Sequence, residues 1–244
     1  MRIVTVDTNK FAETAADMVE EHILSDSPGV VGFATGTTTP PVYELLTRRF
    51  EKRDMPGLVV FNVDEYLGVP PDNPKTCLSR MKTQLYDFIR PGREICFRSN
   101  APDPKEDVRR VLREIGETGG LRLQILGIGK DGHIGFNDPG TPWEMEAAVI
   151  SFSASSRADK AAFWGGIDKV PAQGATLGVK GIMNARSLLL LARGESKAEI
   201  VRAALQGPIT PEVPASALQL HPFATVVLDR PAASGLKIEG CRIH

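Results

Sequence analysis

Short apolar runs alternate with segments of helical periodicity along most of the chain. Runs such as LVVFNV (58–63) and SLLLLA (187–192) are apolar at consecutive positions, which is typical of strands buried on both faces of a sheet. Elsewhere apolar residues recur every three or four positions, as at Val108, Val111 and Ile115, which indicates helices. The other predicted strands are RIVTV (2–6), VVGFA (30–34), ICFR (95–98), LRLQILG (121–127) and ATVVLD (224–229).

Prolines and polar residues mark where the helices begin. Pro40 and Pro41 suit the first turn of a helix to about Phe50, since proline lacks the N–H that would be unpaired there. Asp7 and Thr8 are the predicted caps of the first helix. The further predicted helices span about 78–88, 104–115, 155–164 and 196–206.

This alternation of strands and helices predicts an α/β fold. We expect a doubly wound, mainly parallel, Rossmann-like sheet with helices on both faces. No repeat or linker divides the sequence, so a single domain is expected over residues 1–244, with a lid-like segment near 138–170.

Composition and charge exclude several classes of protein. With 29 basic and 30 acidic residues, the formal charge of −1 gives no general attraction to nucleic acid or to a membrane surface. The apolar runs are far shorter than the ~20 residues of a membrane helix, and the first residues lack a signal-peptide pattern. A reducing, cytoplasmic location is expected, because a disulfide framework is not suggested by the scattered cysteines Cys77, Cys96 and Cys241.

Polar segments directly follow four of the predicted strands. In open parallel sheets, ligands bind beyond the carboxyl ends of the strands. One such segment would be an ordinary turn, but four that carry Thr, Asp, His and Lys favour a shared site. The segments are TGTTT (35–39), DEY (64–66), GIGKDGHIGFNDPG (127–140) and RGESK (193–197).

The TGTTT segment predicts an anion site. Gly36, Thr37 and Thr38 offer backbone N–H groups and hydroxyls at the start of a helix, an arrangement that binds phosphate, although a threonine-rich helix cap is the alternative. Lys197 follows a buried strand, at a helix start where the dipole disfavours a cation. A bound anion would explain Lys197, which is otherwise a solvated surface lysine.

Two acid–base candidates occupy the other segments. A carboxylate beside a histidine orients the ring and supports proton transfer, which makes His133, with Asp131 and Asp138 nearby, a catalytic candidate. The alternative is a histidine bonded only within its loop. Asp64 stands at the mouth of a buried strand, where desolvation raises its basicity, whereas Glu65 is expected to cap a loop.

No cofactor or metal is predicted. The stretch GIGKDG matches the dinucleotide pattern G-x-G-x-x-G, but Gly135 and Pro139 follow and prevent the required helix. No acid lies about twenty residues further on to hold a ribose. The four histidines, His22, His133, His221 and His244, are not spaced as the ligands of a metal site are.

Five longer stretches together carry a family resemblance. They are GFATGTTTPPVYELL, FNVDEYLGVPPDNPKTC, LGIGKDGHIGFNDPG, VPAQGATLGVKGIMNAR and VPASALQLHP. With them the sequence resembles the glucosamine-6-phosphate deaminase/isomerase family over nearly its whole length. The related 6-phosphogluconolactonases differ after the DGH triplet, where IGFNDP follows here.

The resemblance implies an enzyme that converts glucosamine 6-phosphate to fructose 6-phosphate and ammonia. His133, oriented by Asp131 and Asp138, would open the sugar ring by proton transfer to the ring oxygen. Asp64 would move a proton from C-2 to C-1, and water would hydrolyse the resulting C-2 imine. The phosphate would be held by Gly36, Thr37, Thr38 and Lys197. The implied partner is a small-molecule amino-sugar phosphate, and a homo-oligomer is a possible assembly.

The sequence departs from the family pattern at three places. Asp138 stands where glutamate is usual, and Ala161 stands where the family has a phosphate-binding lid arginine. Ala148 and Ile150 replace the basic residues of the family's allosteric pocket. The basic residues next to the lid position are Arg157 and Lys160.

Three alternatives accompany this interpretation. The segments KTC (75–77), GGLRL (119–123) and ARSLLLLARGESK (185–197) also resemble a galactosamine-specific branch, which would form tagatose 6-phosphate. A 6-phosphogluconolactonase-type hydrolase would release no ammonia. A non-catalytic sugar-phosphate-binding module is disfavoured, because every acid–base residue is present.

Overall fold

Ten strands occur in residues 1–237, the part of the chain that the computed structural model describes. They are β1 (Arg2–Val6), β2 (Val30–Phe33), β3 (Met55–Asn62), β4 (Asp64–Tyr66), β5 (Pro91–Ile95), β6 (Leu121–Gly127), β7 (Ala147–Ser151), β8 (Gln173–Leu177), β9 (Ser187–Ala192) and β10 (Ala224–Asp229). Seven of them form a sheet in the order β1-β10-β9-β6-β2-β3-β5, in which every neighbouring pair is parallel.

Helices connect the strands. They are α1 (Phe11–Leu24), α2 (Pro40–Phe50), α3 (Cys77–Met81), α4 (Asp87–Ile89), α5 (Pro104–Glu117), α6 (Ala154–Trp164), α7 (Val179–Met183), α8 (Ala198–Gln206) and α9 (Arg230–Ala233). A π-helical turn, Lys82–Tyr86, joins α3 to α4. Within residues 1–237, the helices lack the length and apolar character needed to cross a membrane.

The large sheet is buried on both faces, as the consecutive apolar runs predicted. Successive strand residues point to opposite faces, so Leu188 and Leu190 join one core cluster while Leu189 and Leu191 join the other. Helices α1 and α2 cover one face, and α5 and α8 cover the other. Each fully buried leucine contributes roughly 1.5–3 kcal/mol. The predicted doubly wound α/β fold is confirmed.

A second sheet of three strands was not predicted. Its order is β4-β8-β7, and both of its pairs are antiparallel. The chain passes from β3 through Val63 directly into β4, so one segment serves both sheets. The β7 sequence AAVIS is half-buried and alanine-rich, and β4, with the sequence DEY, has three residues and directly follows the apolar run of β3, which is why neither stood out as a separate strand.

Two local predictions were wrong. Asp7 and Thr8 do not cap α1, which begins at Phe11; instead the Asp7 carboxylate pairs with Arg230, and the Thr8 hydroxyl bonds to Asp229 at 3.2 Å. The strand expected at 95–98 lies at Pro91–Ile95, because β3 pairs with that segment. Cys241 and His244, also considered above, lie outside the described residues.

Candidate active site

The four polar segments meet at one edge of the large sheet, as predicted. Strands β9, β6, β2 and β3 are consecutive neighbours in the sheet and run parallel. Their carboxyl ends therefore lie side by side, and we refer to the region between the segments that follow them as the cleft.

The loop between β2 and α2 presents hydrogen-bond donors. Within residues 1–237, the backbone N–H groups of Gly36, Thr37 and Thr38 have no backbone or side-chain acceptor. The start of the loop is fixed by α2, because the Tyr43 hydroxyl donates to the carbonyl of Ala34 at 2.8 Å. Open N–H groups at the start of an α-helix bind anions, so this loop has the chemistry of a phosphate cradle.

Asp64 is a buried carboxyl group with cations around it. It is 5% exposed, and this burial raises its pKa to about 6. A hydrogen bond with the Cys77 thiol and the charges of Arg80, Lys160 and His133 act in the opposite direction and favour the carboxylate. A carboxyl group with such a pKa is ionised near neutral pH. It is also basic enough to accept a proton from a carbon atom of a substrate.

Glu65 has a structural role, as the sequence indicated. Its two carboxylate oxygens accept the backbone N–H groups of Tyr66, Cys77 and Leu78 at 2.7, 2.8 and 2.9 Å. The carboxylate therefore ties the start of α3 to the end of β4. Burial raises the pKa of Glu65 to about 7 in spite of these three hydrogen bonds.

His133 and Asp131 form a close pair in the glycine-rich loop after β6. The Nδ1 atom of His133 lies 2.7 Å from Oδ1 of Asp131, and the same oxygen accepts the backbone N–H of His133 at 3.1 Å. The hydrogen bond from His133 lowers the pKa of Asp131 to about 2, so this carboxylate stays ionised. Gly129 makes the packing possible, because a Cβ there would lie 2.2 Å from the imidazole.

Asp138 is near this pair but bonds elsewhere. Single donor atoms of Asp131, His133 and Asp138 lie within 4.8 Å of one another, a grouping that could hold a cation as well as relay a proton. In the described part of the chain, however, the hydrogen bond to the Asp138 carboxylate comes from the hydroxyl of Ser156 on α6, not from His133. The shorter aspartate thus links the loop to α6.

Helix α6 rests beside the cleft on an aromatic cluster. The ring centroid of Tyr66 lies 5.0 Å from that of Phe136 and 5.0 Å from that of Trp164. The ring centroids of Phe136 and Phe152 are 4.9 Å apart. Lys160, on α6, places its ammonium group 4.9 Å from the centroid of Phe152. The predicted helix near 155–164 is confirmed, but the cluster was missed because its members come from four separate segments.

Two further cations border the cleft. Lys197 donates to the carbonyl of Ile128 at 2.7 Å, and its pKa is lowered by burial and by Lys130. Arg80, on α3, donates to the carbonyl of Gly36 at 3.3 Å. Lys197 was a predicted site residue, whereas Arg80 was missed, since nothing in the local sequence distinguishes it from a surface arginine.

Comparison with known proteins finds relatives that match most of the chain. Residues 6–227 match the family described as glucosamine-6-phosphate isomerases/6-phosphogluconolactonase. Glucosamine-6-phosphate deaminase of Bacillus pumilus (strain SAFR-032) is 35% identical over 232 residues, which cover 93% of this chain and 96% of the relative. Glucosamine-6-phosphate deaminase 1 of Bacillus subtilis (strain 168) is 35% identical, with 96% and 99% covered.

Two solved structures have the same fold as this chain. A monomeric glucosamine-6-phosphate deaminase superposes with a TM-score of 0.90 at 34% identity and covers 97% of this chain and 100% of its own. The 6-phosphogluconolactonase of Trypanosoma brucei has a TM-score of 0.74 at 20% identity, with 97% and 99% covered. The second likeness extends to the fold alone.

Proposed function

Since this chain belongs to the family of glucosamine-6-phosphate isomerases and 6-phosphogluconolactonases, we propose that it is a glucosamine-6-phosphate deaminase. It would convert glucosamine 6-phosphate and water to fructose 6-phosphate and ammonia. The relatives that match over nearly the full length are named for this reaction.

One observation supports this assignment above the others. The carboxyl group of Asp64 is buried at the carboxyl end of β3, burial raises its pKa to about 6, and the charges of Arg80, Lys160 and His133 favour its ionised form. Moving a proton between adjacent carbons of a sugar requires a base of this kind inside a site that holds an anionic substrate. The donor-rich loop at Gly36–Thr38 supplies the anion site.

The residues suggest a role for each step. The His133–Asp131 pair would protonate the ring oxygen as the C-1–oxygen bond breaks and the anomeric hydroxyl gives up its proton, which leaves an aldehyde at C-1; Asp138 would help to place the loop. Asp64 would take the proton from C-2 while O-1 is protonated, and would return that proton to C-1, which leaves an imine at C-2 and a hydroxyl at C-1. Water then adds to C-2, the amino group takes up a proton from the added water, and ammonia leaves with formation of the C-2 ketone.

The segment 138–170 would act as a lid over this chemistry. It contributes Lys160 near Asp64 and Ser156 to the Asp138 carboxylate, so its position and the acid–base groups are linked. The substrate would be a small amino-sugar phosphate. A cytoplasmic enzyme is consistent with Cys77 and Cys96, which are free thiols in the structure.

The assignment is tested by measuring products. Purified protein is incubated separately with glucosamine 6-phosphate, galactosamine 6-phosphate and 6-phosphogluconolactone, while ammonia, ketose phosphate and lactone opening are measured. We expect ammonia and fructose 6-phosphate from the first substrate at the highest kcat/KM. A higher kcat/KM for galactosamine 6-phosphate would show that this epimer is the substrate. Lactone opening without ammonia release would refute deaminase activity.

The variant Asp64→Asn tests the proposed base. It should retain substrate binding but lose at least ~100-fold in turnover, the usual scale for removal of a general base. Asp26→Asn, at an exposed position, is the matched control and should leave turnover unchanged. Near wild-type ammonia release by Asp64→Asn would exclude this residue from proton transfer and direct attention to Glu65.

A further inference from the structure

Arg80 is a half-buried arginine whose hydrogen-bonding capacity is largely unused. In the described chain it forms no ion pair with an acid, and its guanidinium makes one long hydrogen bond, to the carbonyl of Gly36 at 3.3 Å. Arg122 and Arg157 also lack an acid partner there, but each donates to two backbone carbonyls. Since a guanidinium has five N–H donors, most of those of Arg80 are available to another group.

Arg80 interacts with three other groups around the cleft. Its hydrogen bond reaches the loop whose N–H groups lack acceptors. Its charge favours the ionised form of Asp64. Its guanidinium carbon lies 5.1 Å from the ring centroid of Phe163, on α6, so the ring face supports the planar group.

These contacts hold the guanidinium where a phosphate would bind. Arginine recognises phosphate through two parallel N–H···O bonds, and a side chain already fixed on an aromatic ring loses less entropy when it binds. The dianion would accept hydrogen bonds from the loop N–H groups and from Arg80 at the same time. Phe163 is 42% exposed, and its ring lies between the Arg80 guanidinium and Trp164, whose ring centroid is 5.9 Å away.

We propose that Arg80 binds the phosphate group of the substrate, together with the Gly36–Thr38 loop and Lys197. The inference rests on the proposed function for the identity of the substrate, but the phosphate site is defined by the chain's own donors. Arg80 is then a substrate-binding residue contributed by α3, outside the segments in which the sequence indicated phosphate contacts.

The variant Arg80→Gln tests this role. At about pH 8, where Asp64 stays ionised, we expect KM for glucosamine 6-phosphate to rise ~10-fold or more and kcat to change less than about threefold. Inhibition by inorganic phosphate should weaken by a factor similar to that for KM. Lys82→Gln is the matched control, because it removes a positive charge two residues away that faces Glu94, 3.5 Å from its ammonium group. The control should change neither constant.

Two further variants separate binding from packing. Arg80→Lys keeps the charge without the planar fork and should give an intermediate KM, and it replaces Arg80→Gln if that variant does not fold. Phe163→Leu removes the supporting ring and should raise KM less than Arg80→Gln does. KM and phosphate inhibition within about twofold of wild type in folded Arg80→Gln would overturn the proposal, as would a loss confined to kcat.

A binding measurement keeps this inference separate from the proposed function. Calorimetric titration of wild type and Arg80→Gln with inorganic phosphate needs no turnover. If wild type released no ammonia from any amino-sugar phosphate, the deaminase assignment would fail. Weaker phosphate binding by Arg80→Gln would still support the role of Arg80, and equal binding would refute it.

Discussion

The Nδ1 atom of His133 lies 2.7 Å from Oδ1 of Asp131, and that same oxygen also accepts the backbone N–H of His133. One carboxylate therefore sets both the loop backbone and the ring orientation. With Nδ1 engaged as the donor, Nε2 is the ring nitrogen left to exchange a proton with a ligand. Such charge-assisted hydrogen bonds are about twice as strong as neutral ones, so the pair is expected to persist when the ring is protonated.

Asp131→Asn should therefore impair catalysis more than binding. An asparagine can present an N–H to Nδ1 and so favour the wrong tautomer, which in a comparable His–Asp pair costs several orders of magnitude. We expect turnover to fall ~100-fold or more with KM within about threefold. Steady-state kinetics measure both constants, with Asp26→Asn as the control. A variant with unchanged turnover would show that Asp131 only shapes the loop.

Asp64 should make the protein less stable as the pH rises. Its folded-state pKa of about 6 lies above the ordinary value of 3.8, so the folded protein binds more protons than the unfolded chain between these limits. The contribution of Asp64 to the free energy of unfolding should therefore be most favourable below about pH 4 and should decline as the pH rises through 6. Asp64→Asn removes the decline and should be more stable near pH 7.5 by about 1–3 kcal/mol.

Chemical denaturation at several pH values measures this difference. The gap between Asp64→Asn and wild type should close as the pH falls towards 4, and Asp26→Asn should show no such trend. If wild type were as stable as Asp64→Asn near neutral pH, the buried carboxylate would be fully compensated by its neighbours, contrary to this prediction.

Lys197 should contribute to phosphate binding. Its ammonium group is half-buried, donates to the Ile128 carbonyl and has a lowered pKa, so an anion would restore a favourable environment for its charge. A charge-assisted contact contributes roughly 1.5–3 kcal/mol, so Lys197→Ala should raise KM about tenfold or more. The exposed Lys180→Ala on α7 serves as the control. Equal use of glucosamine and its 6-phosphate would contradict a phosphate site here.

The enzyme should follow hyperbolic kinetics without activation by N-acetylglucosamine 6-phosphate. The positions that match the family's allosteric pocket, Ala148 and Ile150, lie on β7 and carry no charge, so an anion there would be desolvated without a partner. The basic residues next to the lid position, Arg157 and Lys160, have other contacts: Arg157 donates to the carbonyls of Ile167 and Val170, and the ammonium group of Lys160 lies 4.9 Å from the ring centroid of Phe152. Rate curves recorded with and without the acetylated sugar test this; a sigmoidal curve that the sugar makes hyperbolic would disprove it.

The sequence alone determined the large parallel sheet with its covering helices and most of the chemical groups, whereas the second sheet, β4-β8-β7, was not predicted. A strand with a consecutive apolar run such as SLLLLA is buried on both faces of its sheet. The pattern of apolar residues therefore predicted a parallel sheet with helices on both sides. The position of Asp64, His133 and Lys197 after such strands placed them on one edge, because parallel strands end together.

Tertiary structure decided which partners these groups have. The bond from Ser156 to Asp138 joins residues 18 apart, and the hydrogen bond from Arg80 to Gly36 joins residues 44 apart. Neither has a local signal, since each depends on how α6 and α3 pack against loops from other strands. The raised pKa of Asp64 likewise required knowledge of its burial and of the cations around it. Sequence periodicity reports which face of an element is buried, but the identity of a side chain's neighbours is set only when the elements pack.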